Sequence, residues 1–140
     1  MSILSSTNTG VQYFIDKWFK EHVHTNGELI VVKDKNGKFK CIDVIGNVII
    51  NSYKEPAFPE YIKFGNITGS FECSYCDFES MNGFPQKVDK DFTCFHCSNI
   101  CSIEGLPNVI GRDCIVRFCG KPFTENEIRA KCDVKRNVFC

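Results

Sequence analysis

The chain carries no net charge, no long apolar run and none of the short motifs that mark common catalytic sites. Seventeen Lys and Arg stand against seventeen Asp and Glu in 140 residues, which argues against a general nucleic-acid binder held by phosphate neutralisation. No stretch of about 18 apolar residues occurs, so no transmembrane helix and no membrane partner are expected. The opening MSILSSTNTG lacks a basic segment and holds only Ile3 and Leu4 as an apolar pair, so no signal peptide is expected and the expected location is cytoplasmic. A Gly-rich phosphate loop, H-E-x-x-H and G-x-S-x-G are all missing. His96 lies among cysteines but lacks a third group to orient it as a base. The expectation is therefore a chain that is not an enzyme. Hydrophobic residues at 43% and charged residues at 24% describe a globular chain of a size that suits one domain, 1–140.

Cysteine is the residue present in excess. The ten are Cys41, Cys73, Cys76, Cys94, Cys97, Cys101, Cys114, Cys119, Cys132 and Cys140. In a reducing compartment thiols stay free or bind metal, which disfavours a disulfide framework.

Residues 9–24 read as an amphipathic helix, with Val11, Phe14, Ile15, Trp18 and Phe19 on one stripe. Thr7, Asn8 or Thr9 is placed to cap its start, and Asn26-Gly27 to end it with residues that tolerate positive φ. Glu28–Lys33 and Phe39–Val44 read as two strands around the turn DKNG. Together, residues 1–45 form an N-terminal cap of helix and hairpin.

From Gly46 to Cys119 the chain repeats itself. GNVIINSY (46–53), GSFECSYC (69–76), KDFTCFHC (90–97) and RDCIVRFC (112–119) begin 23, 21 and 22 residues apart. A constant short period with one strand per unit marks a stacked solenoid. Phe71, Cys73 and Cys76 fall on the fourth, sixth and ninth positions of the leucine-rich-repeat consensus, as do Phe92, Cys94 and Cys97, and Cys114, Val116 and Cys119. Val48, Ile50 and Tyr53 form a degenerate first copy. Period-two alternation points the fourth and sixth positions into the core and the fifth and seventh out of it. The ninth turns the chain and suits a small buried group that satisfies a backbone carbonyl. Residues 120–140 read as a C-terminal cap. Thr124-Glu125-Asn126-Glu127 has capping-box form, a helix follows over 125–132, and Asn137–Cys140 reads as a last strand. The expected fold class is an α/β repeat, a short leucine-rich-repeat-like solenoid with a parallel sheet and a cap at each end.

The cadence FGNITGSFECSYC, GFPQKVDKDFTC and SIEGLPNVIGRDC, closing on GKPFTENEIRAKCDVKRNVF, resembles the short leucine-rich-repeat-like proteins of large tailed bacteriophages. The resemblance covers about residues 44–140, and Cys76, Cys97 and Cys119 stand where the family pattern has asparagine. It implies a small intracellular protein of the binding type, whose partner would be a host protein such as a defence or regulatory factor.

Outward positions of the repeat register make the candidate partner-binding surface. Glu72, Ser74 and Tyr75 come from one unit, Thr93, Phe95 and His96 from the next, and Ile115, Arg117 and Phe118 from the third. Tyr75, His96 and Phe118 fall in one column, and Ser74, Phe95 and Arg117 in the next. Aromatics in register on an exposed sheet point to a protein contact unless a cap covers them. Charge is uneven, −4 over residues 64–111 and +3 over 112–140. An open strand edge would also permit a homodimer.

The competing reading is metal. Cys73-x2-Cys76 and Cys94-x2-Cys97, 17 residues apart, match a tetrahedral zinc site, and a zinc ribbon would contact nucleic acid or the transcription machinery. Against it, the offset between the pairs equals the repeat period, which instead predicts a ladder of buried thiols and no cofactor.

Overall fold

The computed structural model describes residues 8–140. Helix α1 (Asn8–His22) leads into the antiparallel hairpin β1 (Glu28–Lys33) and β2 (Phe39–Ile45). Four-residue strands follow at the repeat period: β3 (Val48–Asn51), β5 (Phe71–Ser74), β7 (Phe92–Phe95) and β9 (Cys114–Arg117). Between them run β4 (Phe64–Ile67), β6 (Lys87–Val88) and β8 (Val109–Ile110). Helix α2 (Glu125–Lys131), β10 (Asp133–Val134) and β11 (Val138–Phe139) complete the chain.

These elements form a solenoid of stacked coils with two sheets rather than the single parallel sheet expected. One sheet has the order β11-β9-β7-β5-β3 and is parallel throughout. The other has the order β1-β2-β4-β6-β8-β10 and is parallel except at the hairpin. Each coil runs up a strand of the six-stranded sheet, turns, and runs along a strand of the five-stranded sheet. A loop then brings it to the next level. The last coil has α2 in place of that loop, so the C-terminal cap is itself a coil, with β10 and β11 on the two sheets.

Register within the five-stranded sheet follows the repeat alignment. Phe71 pairs with Phe92 and Phe92 with Cys114, while Cys73 pairs with Cys94 and Cys94 with Val116. All of these except Val116 are fully buried, and Val116 is buried. From the second sheet, Ile67, Val88, Ile110 and Val134 point into the same core. Phe71 and Phe92 stack with ring planes 10° apart; Phe64 meets Phe71 edge-on and Phe84 leans on both, while Phe58 packs on Phe64 and Phe78 on Phe84. Helix α1 closes one end: Trp18 packs against Tyr53 and Phe58, and Phe19 against Phe64. Phe14, expected on the buried stripe, is 40% exposed and leans on Tyr61 instead.

Polar residues stitch the coils at the corner before each strand of the five-stranded sheet. Asn26 Oδ1 accepts from Asn47 N, Asn47 Oδ1 from Ser70 N, Ser70 Oγ from Asp91 N, Asp91 Oδ1 from Asp113 N, and Asp113 Oδ1 from Asn137 N, all within 2.8–3.1 Å. Corner amides that no strand partner reaches are satisfied in this way.

Two local expectations change. The α1 cap candidate Thr7 lies outside the described residues, and Asn8 is inside the helix. Gly27 does not end the helix. It is required because a side chain there would run into the Ile45 carbonyl. The capping box at α2 is present in full: Glu127 N donates to Thr124 Oγ1 and Thr124 N donates to Glu127 Oε1.

Candidate functional site

The turns that leave β3, β5, β7 and β9 carry the non-glycine residues with positive φ among the described residues. Ser52, Tyr75, His96 and Phe118 have φ of 54–56°. Glycine or asparagine adopts this left-handed region readily, whereas a side chain with a bulky Cβ substituent is disfavoured there by about 1–2 kcal/mol. Three consecutive coils nevertheless put a ring at this position. The residue therefore sits not on the strand but on the corner just past it, which turns it outward where continued alternation would turn it in.

Left-handed geometry at successive coils aligns the three side chains. Tyr75 and His96 stack with ring planes 6° apart and centroids 4.9 Å apart, and His96 and Phe118 stack at 20° and 4.7 Å. Phe95, half-buried one residue before, meets Tyr75, His96 and Phe118 edge-on. Among the described residues neither cap covers this ladder: Tyr75 is 54% and Phe118 62% exposed.

The other candidate residues lie alongside in the expected register. Glu72, Thr93 and Ile115 form one row of strand partners, and Ser74, Phe95 and Arg117 another. All of them are half-buried except the exposed Arg117. Arg117 has its guanidinium 5.6 Å over the Phe139 ring.

At the C-terminal end the ladder runs into a pocket of about 420 Å³ lined by Arg117, Phe118, Cys119, Lys121, Phe123 and Cys140, with Val116 and Pro122. Lys121 Nζ sits 5.4 Å over the Phe123 ring. Sequence reasoning missed the contribution of Phe123, Lys121 and Cys140. They belong to the cap, and only the return of the last coil brings them beside Phe118.

Behind the ladder lies the cysteine column. Cys76 Sγ donates to Ile50 O at 3.5 Å, Cys97 Sγ to Cys73 O at 3.8 Å, and Cys119 Sγ to Cys94 O at 3.7 Å. Each turn thiol thus satisfies a carbonyl of the preceding coil, the task expected of the ninth position. Sulfurs also meet one another. Cys94 Sγ and Cys119 Sγ are 3.7 Å apart and share a hydrogen. Burial pushes the Cys73 thiol well up, with Cys76 adding to it. The thiols of Cys119 and Cys97 hold Cys94 well up, and burial reinforces this. The thiols of Cys73 and Cys97 favour the ionised form of Cys76, and that of Cys94 does the same for Cys119. Burial opposes both effects.

The four cysteines of the zinc reading do not form a ligand set of the expected kind. Cys73 and Cys94 are strand partners one coil apart, and Cys76 and Cys97 are the corresponding turn residues. Among the described residues no group of three or more His, Cys, Asp or Glu side chains is arranged to hold a metal ion. Nor, among those residues, is any helix long and apolar enough to cross a membrane. Compared with known proteins, the chain matches no protein family, no curated protein and no solved structure.

Proposed function

We propose that the chain is a non-enzymatic protein-binding module that meets its partner through the ladder Tyr75, His96 and Phe118 and the adjoining row Ser74, Phe95 and Arg117. The supporting observation is the repeated use of exposed aromatic residues at a left-handed corner. Folding alone would favour glycine or asparagine at those three corners, so something other than folding accounts for the rings. Rigid aromatic side chains beside an arginine are the residue types that dominate binding energy at protein interfaces. Uncovered cations at the end of the ladder, Arg117 and Lys121, suit a partner surface of acidic character. The sequence resemblance to short phage repeat proteins makes that partner a host protein, which the module would block or redirect.

The test is capture from bacterial lysate by the wild-type chain and by the triple variant Tyr75→Ala, Phe95→Ala, Phe118→Ala, with circular dichroism and melting measured on both. The expected result is a discrete captured protein lost with the triple variant at unchanged secondary structure. Equal capture by the folded variant would remove the proposed face.

A further inference from the structure

Three features meet at the C-terminal end of the cysteine column. Cys94 Sγ and Cys119 Sγ lie 3.7 Å apart, in contact but unbonded. Cys94 is fully buried, whereas Cys119 is only half-buried and lines the pocket of about 420 Å³. Arg117 and Lys121 line the same pocket. A half-buried thiol that opens on a pocket and shares a hydrogen with a second thiol can present a thiolate, which is the reactive species. The homologous contacts deeper in the stack lack this access, because Cys73, Cys76 and Cys97 are all buried.

We propose that Cys119 and Cys94 form a peroxide-sensitive thiol pair, Cys119 being the attacking and Cys94 the resolving cysteine. In the first step the Cys119 thiolate attacks one oxygen of hydrogen peroxide. The S–O bond forms, the O–O bond breaks, and hydroxide leaves and takes up a proton to become water. In the second step the Cys94 sulfur attacks the Cys119 sulfenic acid. The S–S bond forms, the S–O bond breaks, and the oxygen leaves as water with the Cys94 proton. Overall two thiols are oxidised to one disulfide and one peroxide is reduced to two waters. The sulfurs must close from 3.7 Å to about 2.05 Å. The movement falls on Cys119, which is flanked by the Phe118 corner and Gly120. Phe118 is the last ring of the aromatic ladder, so the bridge would tie the oxidation state to the geometry of that end of the face.

The experiment treats the full chain with a few equivalents of hydrogen peroxide, blocks remaining thiols under denaturing conditions, and maps tryptic peptides. The expected product is residues 91–112 joined to 118–129, with fragmentation placing the bond at Cys94 rather than Cys97 or Cys101. Cys119→Ser should abolish that product. Cys94→Ala should instead leave Cys119 trapped by dimedone as a sulfenic acid, and a second variant, Cys94→Ser, guards against loss of fold. A Cys119–Cys140 bridge, or oxidation confined to the exposed Cys101 and Cys140 with Cys94 and Cys119 still alkylated, would overturn the proposal.

Discussion

The corner ladder of Asn, Ser and Asp side chains gives the sharpest test of how the coils hold together. Asp91 sits in its middle. Its Oδ1 accepts from Asp113 N at 3.0 Å, and its own amide donates to Ser70 Oγ at 3.1 Å. Asp91→Ala leaves the second bond intact and orphans the half-buried Asp113 amide. A hydrogen bond to a charged group contributes about 1.5–3 kcal/mol, and an unsatisfied buried donor costs about 1–3 kcal/mol. Partial exposure of the corner places the expected loss near 2 kcal/mol. In a chain of this length that lowers the melting temperature by roughly 6 °C. Asp91→Asn keeps an oxygen at the accepting position and should lose less than about 0.7 kcal/mol. Urea titration followed by circular dichroism measures both variants. If Asn is as damaging as Ala, or if Ala costs less than about 0.5 kcal/mol, the ladder does not hold the corners as described.

The remaining predictions concern the thiols, the cap and metal. Burial pushes Cys114 up to about 12 and Cys132 up to about 11, from an ordinary value of 9.0. A folded-state value raised in this way means the unfolded chain releases protons first, so stability is full below pH 9 and falls as pH rises from there toward 12. Alkaline unfolding monitored by thiolate absorbance should therefore show these thiols ionising together with the loss of structure. Ionisation near pH 9 in the intact fold would contradict the burial. At the C-terminal cap, Thr124→Ala should cost about 1 kcal/mol by removing the acceptor for Glu127 N, and a change below about 0.3 kcal/mol in urea titration would contradict the capping role. Because the four zinc-spaced cysteines are stacked by the repeat, a chelator should leave the melting temperature unchanged. A fall of several degrees with release of about one zinc per chain would restore the ribbon reading.

The elements legible in the sequence were those with a long enough pattern. Phe71-x-Cys73 and Phe92-x-Cys94 alternate over a full strand and recur at the period, so their register on the sheet followed directly. The hairpin had its DKNG turn, and α2 had its capping box. By contrast β6, β8 and β10 are two residues long with one inward side chain each, at Val88, Ile110 and Val134. One apolar residue has no alternation to read, so Val88 and Ile110 recur after Phe84-Pro85 and Leu106-Pro107 at the repeat period without marking a strand. The candidate face was legible as columns but not as backbone: nothing in the residues Tyr75, His96 and Phe118 signals positive φ, because aromatic residues avoid it. Corner residues Asn47, Ser70, Asp91, Asp113 and Asn137 recur one position before each strand. As ordinary turn formers, they did not reveal that they bond from coil to coil.

The central claim is that the aromatic ladder is a contact face. Site-specific photo-crosslinking tests it most directly, with benzoylphenylalanine placed at Phe118 on the ladder or, as control, at Gln86, exposed just before β6 on the other sheet. The account predicts a discrete protein adduct in bacterial lysate from position 118 and none from position 86. No adduct from 118, or the same adduct from both positions, would contradict it.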